Sequence, residues 1–76
     1  MEDKKLIEIF RDRLKDLMAD NNIFKINDLA KKIDIPRTTI SNWLNLCRTP
    51  QIDSLVIIAK FFDVTSDYLL GLKDYP

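Results

Sequence analysis

Histidine is absent from this 76-residue chain, and cysteine and glycine occur once each, at Cys47 and Gly71. A single thiol excludes an intramolecular disulfide, and without histidine a zinc centre is not expected. The acidic side chains stand without a histidine, a glycine-rich phosphate loop or a Ser or Cys elbow, so no catalytic site, cofactor or small-molecule ligand is expected. One glycine and three prolines, Pro36, Pro50 and Pro76, are too few breakers for a chain of tight β-turns, which favours helices. No apolar run approaches the roughly 20 residues that span a bilayer. The opening Met1-Glu2-Asp3-Lys4-Lys5-Leu6 has no secretory pattern. The expected setting is a reducing cytoplasm, with no membrane partner.

Net charge is also lacking, because twelve basic residues cancel twelve acidic ones. Their distribution is uneven. Residues 1–24 sum to −1 (five basic, six acidic) and residues 50–76 to −2 (two basic, four acidic). Residues 25–49 sum to +3, with Lys25, Lys31, Lys32, Arg37 and Arg48 against Asp28 and Asp34. A local basic face is what phosphate binding requires, although a solvated mixed surface has the same composition.

What is present is helical periodicity. With 46% hydrophobic residues the chain has enough apolar material for one core, and residues 1–76 read as one domain. Leu6, Ile7, Phe10, Leu14, Leu17 and Met18 recur at three- and four-residue steps, which predicts a first helix over about 3–21 ended by Asn21-Asn22. A second helix is expected over about 27–33, capped by Asn27 with Asp28 at the positive end of its dipole. A third is expected over 36–46, with Pro36 in its first turn. A fourth spans about 52–62. A fifth is short, with Thr65 capping residues 66–70 and Gly71 stopping it. The expected core holds Leu14, Leu17, Leu29, Ala30, Ile33, Ile40, Trp43, Leu55, Ile58 and Phe62.

Residues 26–45 carry the most information. Two short helices are broken at Asp34-Ile35-Pro36, and Leu29, Ala30, Ile33, Ile35, Ile40 and Trp43 form an apolar set that locks them together. The second of these helices leaves Thr38, Ser41, Asn42 and Asn45 on its other face. Ordinary wet faces are rich in Lys and Glu. This one carries short hydrogen-bonding groups that are poor helix formers. One face fixes the helix and the other is left to read something, as in a DNA-binding helix-turn-helix. Trp43 belongs with Ile40 in the core rather than to base stacking. Tyr68 and Tyr75 read as packing or surface groups. Cys47 reads as a small, partly buried apolar group.

Six segments resemble the Cro and phage-repressor type of helix-turn-helix domain, the XRE family. Arg13-Leu14-Lys15-Asp16-Leu17 is similar to its first helix, Asp28-Leu29-Ala30-Lys31-Lys32-Ile33 to its second, and residues 37–45 to its recognition helix. Arg48-Thr49-Pro50, Leu55 with Ile58-Ala59-Lys60, and Asp67-Tyr68-Leu69-Leu70-Gly71 resemble its closing segments. The resemblance covers about residues 10–72. It implies an all-α, compact five-helix bundle of the lambda-repressor-like type that binds double-stranded operator DNA, usually as a homodimer on a two-fold site. The matching positions imply Arg37, Thr38, Ser41, Asn42 and Asn45 as groove-facing residues. Asn27 at the start of the second helix and the basic side chains Lys25, Arg37 and Arg48 would hold the backbone. Four departures stand out. Ile26 replaces a frequent Gln, Asp34 replaces a frequent turn Gly, Leu46-Cys47 replaces a frequent Gly-Lys pair, and Ile23-Phe24-Lys25 is one residue longer than usual.

The expected function is a small transcription regulator, a repressor, reading an operator with residues 36–46. Leu69, Leu70, Leu72 and Tyr75 are the expected dimer contacts. The alternative is a helical protein-interaction module such as an antirepressor or antitoxin component, which zero net charge and Leu46-Cys47 favour. The chain could also be the DNA-binding half of a longer repressor, although Met1 and the length favour a complete small protein.

Overall fold

A computed structural model of the chain describes residues 5–76; the expected start of the first helix at Asp3 lies outside them. The described residues form five helices and no strand: α1 (Leu6–Asp20), α2 (Ile26–Ile33), α3 (Arg37–Leu44), α4 (Ile52–Phe62) and α5 (Ser66–Leu69). At the head of α1 the Lys5 N–H donates to the Glu8 carboxylate at 3.3 Å, which satisfies a donor that has no partner inside the helix.

Helix α1 turns Phe10, Leu14, Leu17 and Met18 inward and packs on α3 and α5. Helix α2 packs on α3 and α4, and α4 also packs on α5. Of the ten core residues expected from periodicity, eight are buried; Ala30 and Leu55 are half-buried against that cluster. Phe10, Met18, Ile23, Ile35 and Leu69 complete it. Trp43 is 2% exposed, and its ring meets Phe10 edge-on with centroids 5.8 Å apart and planes at 83°. That contact fixes α3 to α1 through two of the largest side chains in the core.

Every one of these helices ends in the same way. The residue after the last turn adopts positive φ: Asn22 (59°), Asp34 (57°), Leu46 (63°), Asp63 (55°) and Gly71 (79°). The next residue then donates its N–H back across the turn. Ile23 reaches the Met18 carbonyl, Ile35 that of Ala30, Cys47 that of Asn42, Val64 that of Ala59 and Leu72 that of Asp67, over 2.8–3.3 Å. Each bond satisfies a carbonyl that the helix leaves open. The residue that donates it is in every case apolar or Cys. At Gly71 a Cβ would stand 2.8 Å from Ile9 Cγ2, so glycine is required there for space as well as for φ.

Three local expectations need correction. Asn27 does not cap α2. The Asp28 and Leu29 N–H groups both go to the Lys25 carbonyl, so the helix closes from Lys25 and Asn27 lies within its first turn. Helix α3 occupies 37–44 rather than 36–46: Pro36 is its cap, accepting from Thr39 and Ile40, and positive φ at Leu46 stops it. Helix α5 ends at Leu69, although Thr65 caps it as expected, its Oγ1 accepting from the Tyr68 N–H at 3.2 Å.

Candidate nucleic-acid interface

The turn between α2 and α3 is three residues long, Asp34-Ile35-Pro36, and each has a mechanical task. Asp34 reverses the chain at positive φ. Ile35 is buried and bonds back to Ala30. Pro36 fixes an extended approach, φ −55° and ψ 139°, from which α3 starts. Behind α3, Ile40 and Trp43 are buried in the core. Its orientation is therefore set from behind and its opposite side faces solvent.

That side carries Arg37, Thr38 and Asn45, all exposed, with Ser41 half-buried between them. The Asn45 amide donates to Ser41 Oγ at 3.1 Å, so the two side chains form one hydrogen-bonded unit along the ridge. Asn42 is half-buried like Ser41 and lies beside Thr38 by the helical period. It lines a groove of about 320 Å³ between α3 and the start of α4, together with Thr39, Arg48, Thr49 and Gln51. Asn42 thus lies where the exposed ridge meets the groove beside it. Thr39 and Gln51 join the groove without having been singled out by sequence. Thr39 sits between the polar stripe and the Trp43 side of α3, and Gln51 enters from the loop before α4, where helical spacing carries no information.

Lys25 and Asn27 are exposed at the start of α2. At the start of α3 the N–H groups of Arg37 and Thr38 have no hydrogen-bond partner among the described residues. Free N–H groups at a helix start attract anions, reinforced by the macrodipole. Of the six described cations outside residues 25–49, three are paired, and Lys5, Lys15 and Lys60 have no ion-pair partner among the described residues. Arg11 pairs with Asp12 at 3.0 Å, Arg13 with Asp74 at 3.6 Å, and Lys73 with Asp67 at 3.8 Å. Arg13 also lies 4.3 Å from the centroid of the Tyr68 ring. Among the described residues none of the five cations between 25 and 49 has an ion-pair partner, so the net +3 of that segment stays open to solvent.

Two further expectations change. Cys47 is exposed, because its backbone is held by the Asn42 carbonyl while its side chain points away from the core. Leu69 is fully buried in the core of the single chain and is unavailable as a dimer contact. Leu70 is half-buried, whereas Leu72 and Tyr75 are exposed. Among the described residues no group of His, Cys, Asp and Glu is arranged to hold a metal, and no helix is long and apolar enough to cross a membrane.

Comparison with known proteins agrees with this geometry. Residues 13–74 match the model of the Cro/C1-type HTH DNA-binding domain. The chain is 36% identical over 64 residues to the uncharacterised HTH-type transcriptional regulator YobD of Bacillus subtilis, covering 84% of this chain and 56% of the relative. It is 38% identical over 62 residues to the HTH-type transcriptional activator BcrR of Enterococcus faecalis, covering 82% of this chain and 30% of the relative. An uncharacterised HTH-type transcriptional regulator of Haemophilus influenzae is 39% identical over 49 residues, 64% of this chain and 46% of that protein. The chain therefore spans about half, or less, of the length of these relatives. No solved structure matches it. With α3 wedged from behind by Ile40 and Trp43, and with the family model covering the segment from α1 to beyond α5, the chain belongs to the Cro/C1-type helix-turn-helix DNA-binding family.

Proposed function

We propose that this chain is a sequence-specific transcription regulator that binds operator DNA with α3 in the major groove. The observation that carries this reading is the exposed ridge of short polar side chains on α3, held from behind by buried Ile40 and Trp43 and flanked by unpaired cations. Thr38, Ser41, Asn42 and Asn45 meet base edges in this reading. Asn pairs with adenine, and the hydroxyls are less selective. Arg37 reaches a guanine or a phosphate. Lys25, Asn27 and Arg48 hold the sugar-phosphate backbone, which fixes register without reading sequence.

One α3 spans only a short stretch of groove, so specific affinity comes from two copies on a two-fold operator. Occupancy of an operator that overlaps a promoter blocks polymerase, so repression is the sign this interface delivers by itself. The relatives named as transcriptional regulators support the regulatory role. The Enterococcus relative is named an activator, but this region is only 30% of its length.

Selection of bound sequences from a random duplex pool, followed by titration over a salt series, tests the reading. The expected result is an inverted repeat bound with a steep salt dependence. Absence of salt-dependent binding to any duplex overturns it in favour of a protein-interaction module.

A further inference from the structure

We propose that the outward face of α4 is the surface through which two copies of this chain associate, antiparallel about a two-fold axis. Helix α4 packs inward through Ser54, Leu55, Ile58, Ala59 and Phe62, all buried or half-buried. Its other side is Ile52, Asp53, Val56, Ile57, Lys60 and Phe61, every one exposed. Four of these six are large apolar groups, and Ile52 alone is 79% exposed. A helix apolar on both sides is ordinarily covered on both sides.

The order of residues on that face says what covers it. About the midpoint between Val56 and Ile57 the face is self-complementary. Laid antiparallel on a second copy, Val56 meets Ile57, Asp53 meets Lys60, and Ile52 meets Phe61. Phe61 is steadied by an edge-on contact with Phe62, centroids 4.9 Å apart. Asp53 and Lys60 have no ion-pair partner among the described residues, and each lies at the end of α4 that suits its charge. The antiparallel arrangement gives both charges a partner twice over and sets opposite dipole ends side by side. A parallel arrangement would oppose Asp53 to Asp53 and Lys60 to Lys60, which selects against it. A symmetric pair satisfies the closed, isologous pattern of most homodimers.

At 1.5 Å per residue this helix offers about 16 Å of contact, less than a standard interface, so the dimer is weak alone and strengthened when two copies sit on neighbouring half-sites. The surface thus supplies the contact that the two-copy reading above requires and rests on that reading for its purpose. Its physical test does not depend on DNA.

The test is sedimentation of the chain up to millimolar concentration, with thermal melts showing that each variant is folded. Wild type is expected to be a monomer–dimer equilibrium. Asp53→Lys and Lys60→Asp should each raise the dissociation constant about tenfold or more, because each turns two attractions into two repulsions. The double variant Asp53→Lys/Lys60→Asp should recover most of the loss, and Val56→Asp should leave a monomer. A wild type that stays monomeric, association unmoved by either single reversal, or a double variant no better than the singles would each overturn the proposal. Binding to a duplex carrying one half-site separates this from the DNA reading. All variants should bind it like wild type. If none binds any duplex while the charge reversals behave as stated, the DNA reading fails and the α4 contact stands.

Discussion

The Asn45 amide and the Ser41 hydroxyl are joined by a 3.1 Å hydrogen bond on the exposed ridge of α3. The two lie one helical turn apart and form a single polar unit whose parts are already oriented before any DNA arrives. Replacing one member therefore also releases the other. In the operator-reading function, Ser41→Ala and Asn45→Ala should each weaken specific binding by about 1–3 kcal/mol. The double variant should lose clearly less than the sum of the two. Binding curves on the selected operator and on random duplex, arranged as a double-mutant cycle, measure the coupling. Strict additivity would mean that the bond has no part in recognition.

Lys25, at the start of α2, and Arg48, in the groove beside α3, are exposed and unpaired among the described residues. Their expected role is electrostatic. Lys25→Ala and Arg48→Ala should weaken binding to all sequences alike and lower the slope of log K against log salt by about one unit each. A change of base preference in either variant would move that residue from the backbone to the base edges.

Two positions with the same backbone task should respond in opposite directions. Leu46 holds φ 63°, a conformation that a bulky side chain adopts only at a cost. Leu46→Gly should raise stability by about 0.5–1 kcal/mol net. Gly71 holds φ 79° with Ile9 Cγ2 2.8 Å from where a Cβ would stand. Gly71→Ala should lower stability by about 1–3 kcal/mol through strain and overpacking. Urea unfolding midpoints of the two variants and wild type check both signs.

Trp43 anchors α3 from behind, 2% exposed and edge-on to Phe10. Trp43→Ala should cost about 3–5 kcal/mol, a large share of the stability of so small a domain. Loss of DNA binding should follow the loss of folding as temperature is raised. A variant that melts normally yet fails to bind would place Trp43 in recognition instead.

Much of this was readable in advance, for reasons that particular residues make plain. Phe10, Leu14 and Leu17 repeat at steps of four and three within α1, a helix of 15 residues, long enough for the period to be unambiguous. The polar stripe on α3 was legible because Thr38, Ser41 and Asn45 contrast in type with Ile40 and Trp43. Leu69 was misjudged because α5 is a single turn of four residues, too short for a period to tell an inward leucine from an outward one. The start of α2 was misplaced because Asn27 is a good capping residue, whereas Lys25 closes the turn with its carbonyl, which every residue has. The exposed face of α4 was hidden by composition: an almost uniformly apolar helix shows no side, and only packing reveals that Val56 and Ile57 are left out. Leu46 gave no signal of a helix stop, because the stop is made by backbone hydrogen bonds from Leu46 and Cys47.

The repeated helix ending has a consequence for the chain when it is not folded. Four of the five left-handed stops use a residue with a side chain, and only Gly71 uses glycine. A chain with so little glycine samples fewer backbone states when denatured, and so has less conformational entropy to lose on folding. Asn22, Asp34 and Asp63 thus favour the native state partly by narrowing its competitor, while adding some strain to the native state itself. Glycine at those three sites would relieve strain and loosen the denatured chain at once, so the two effects would largely cancel.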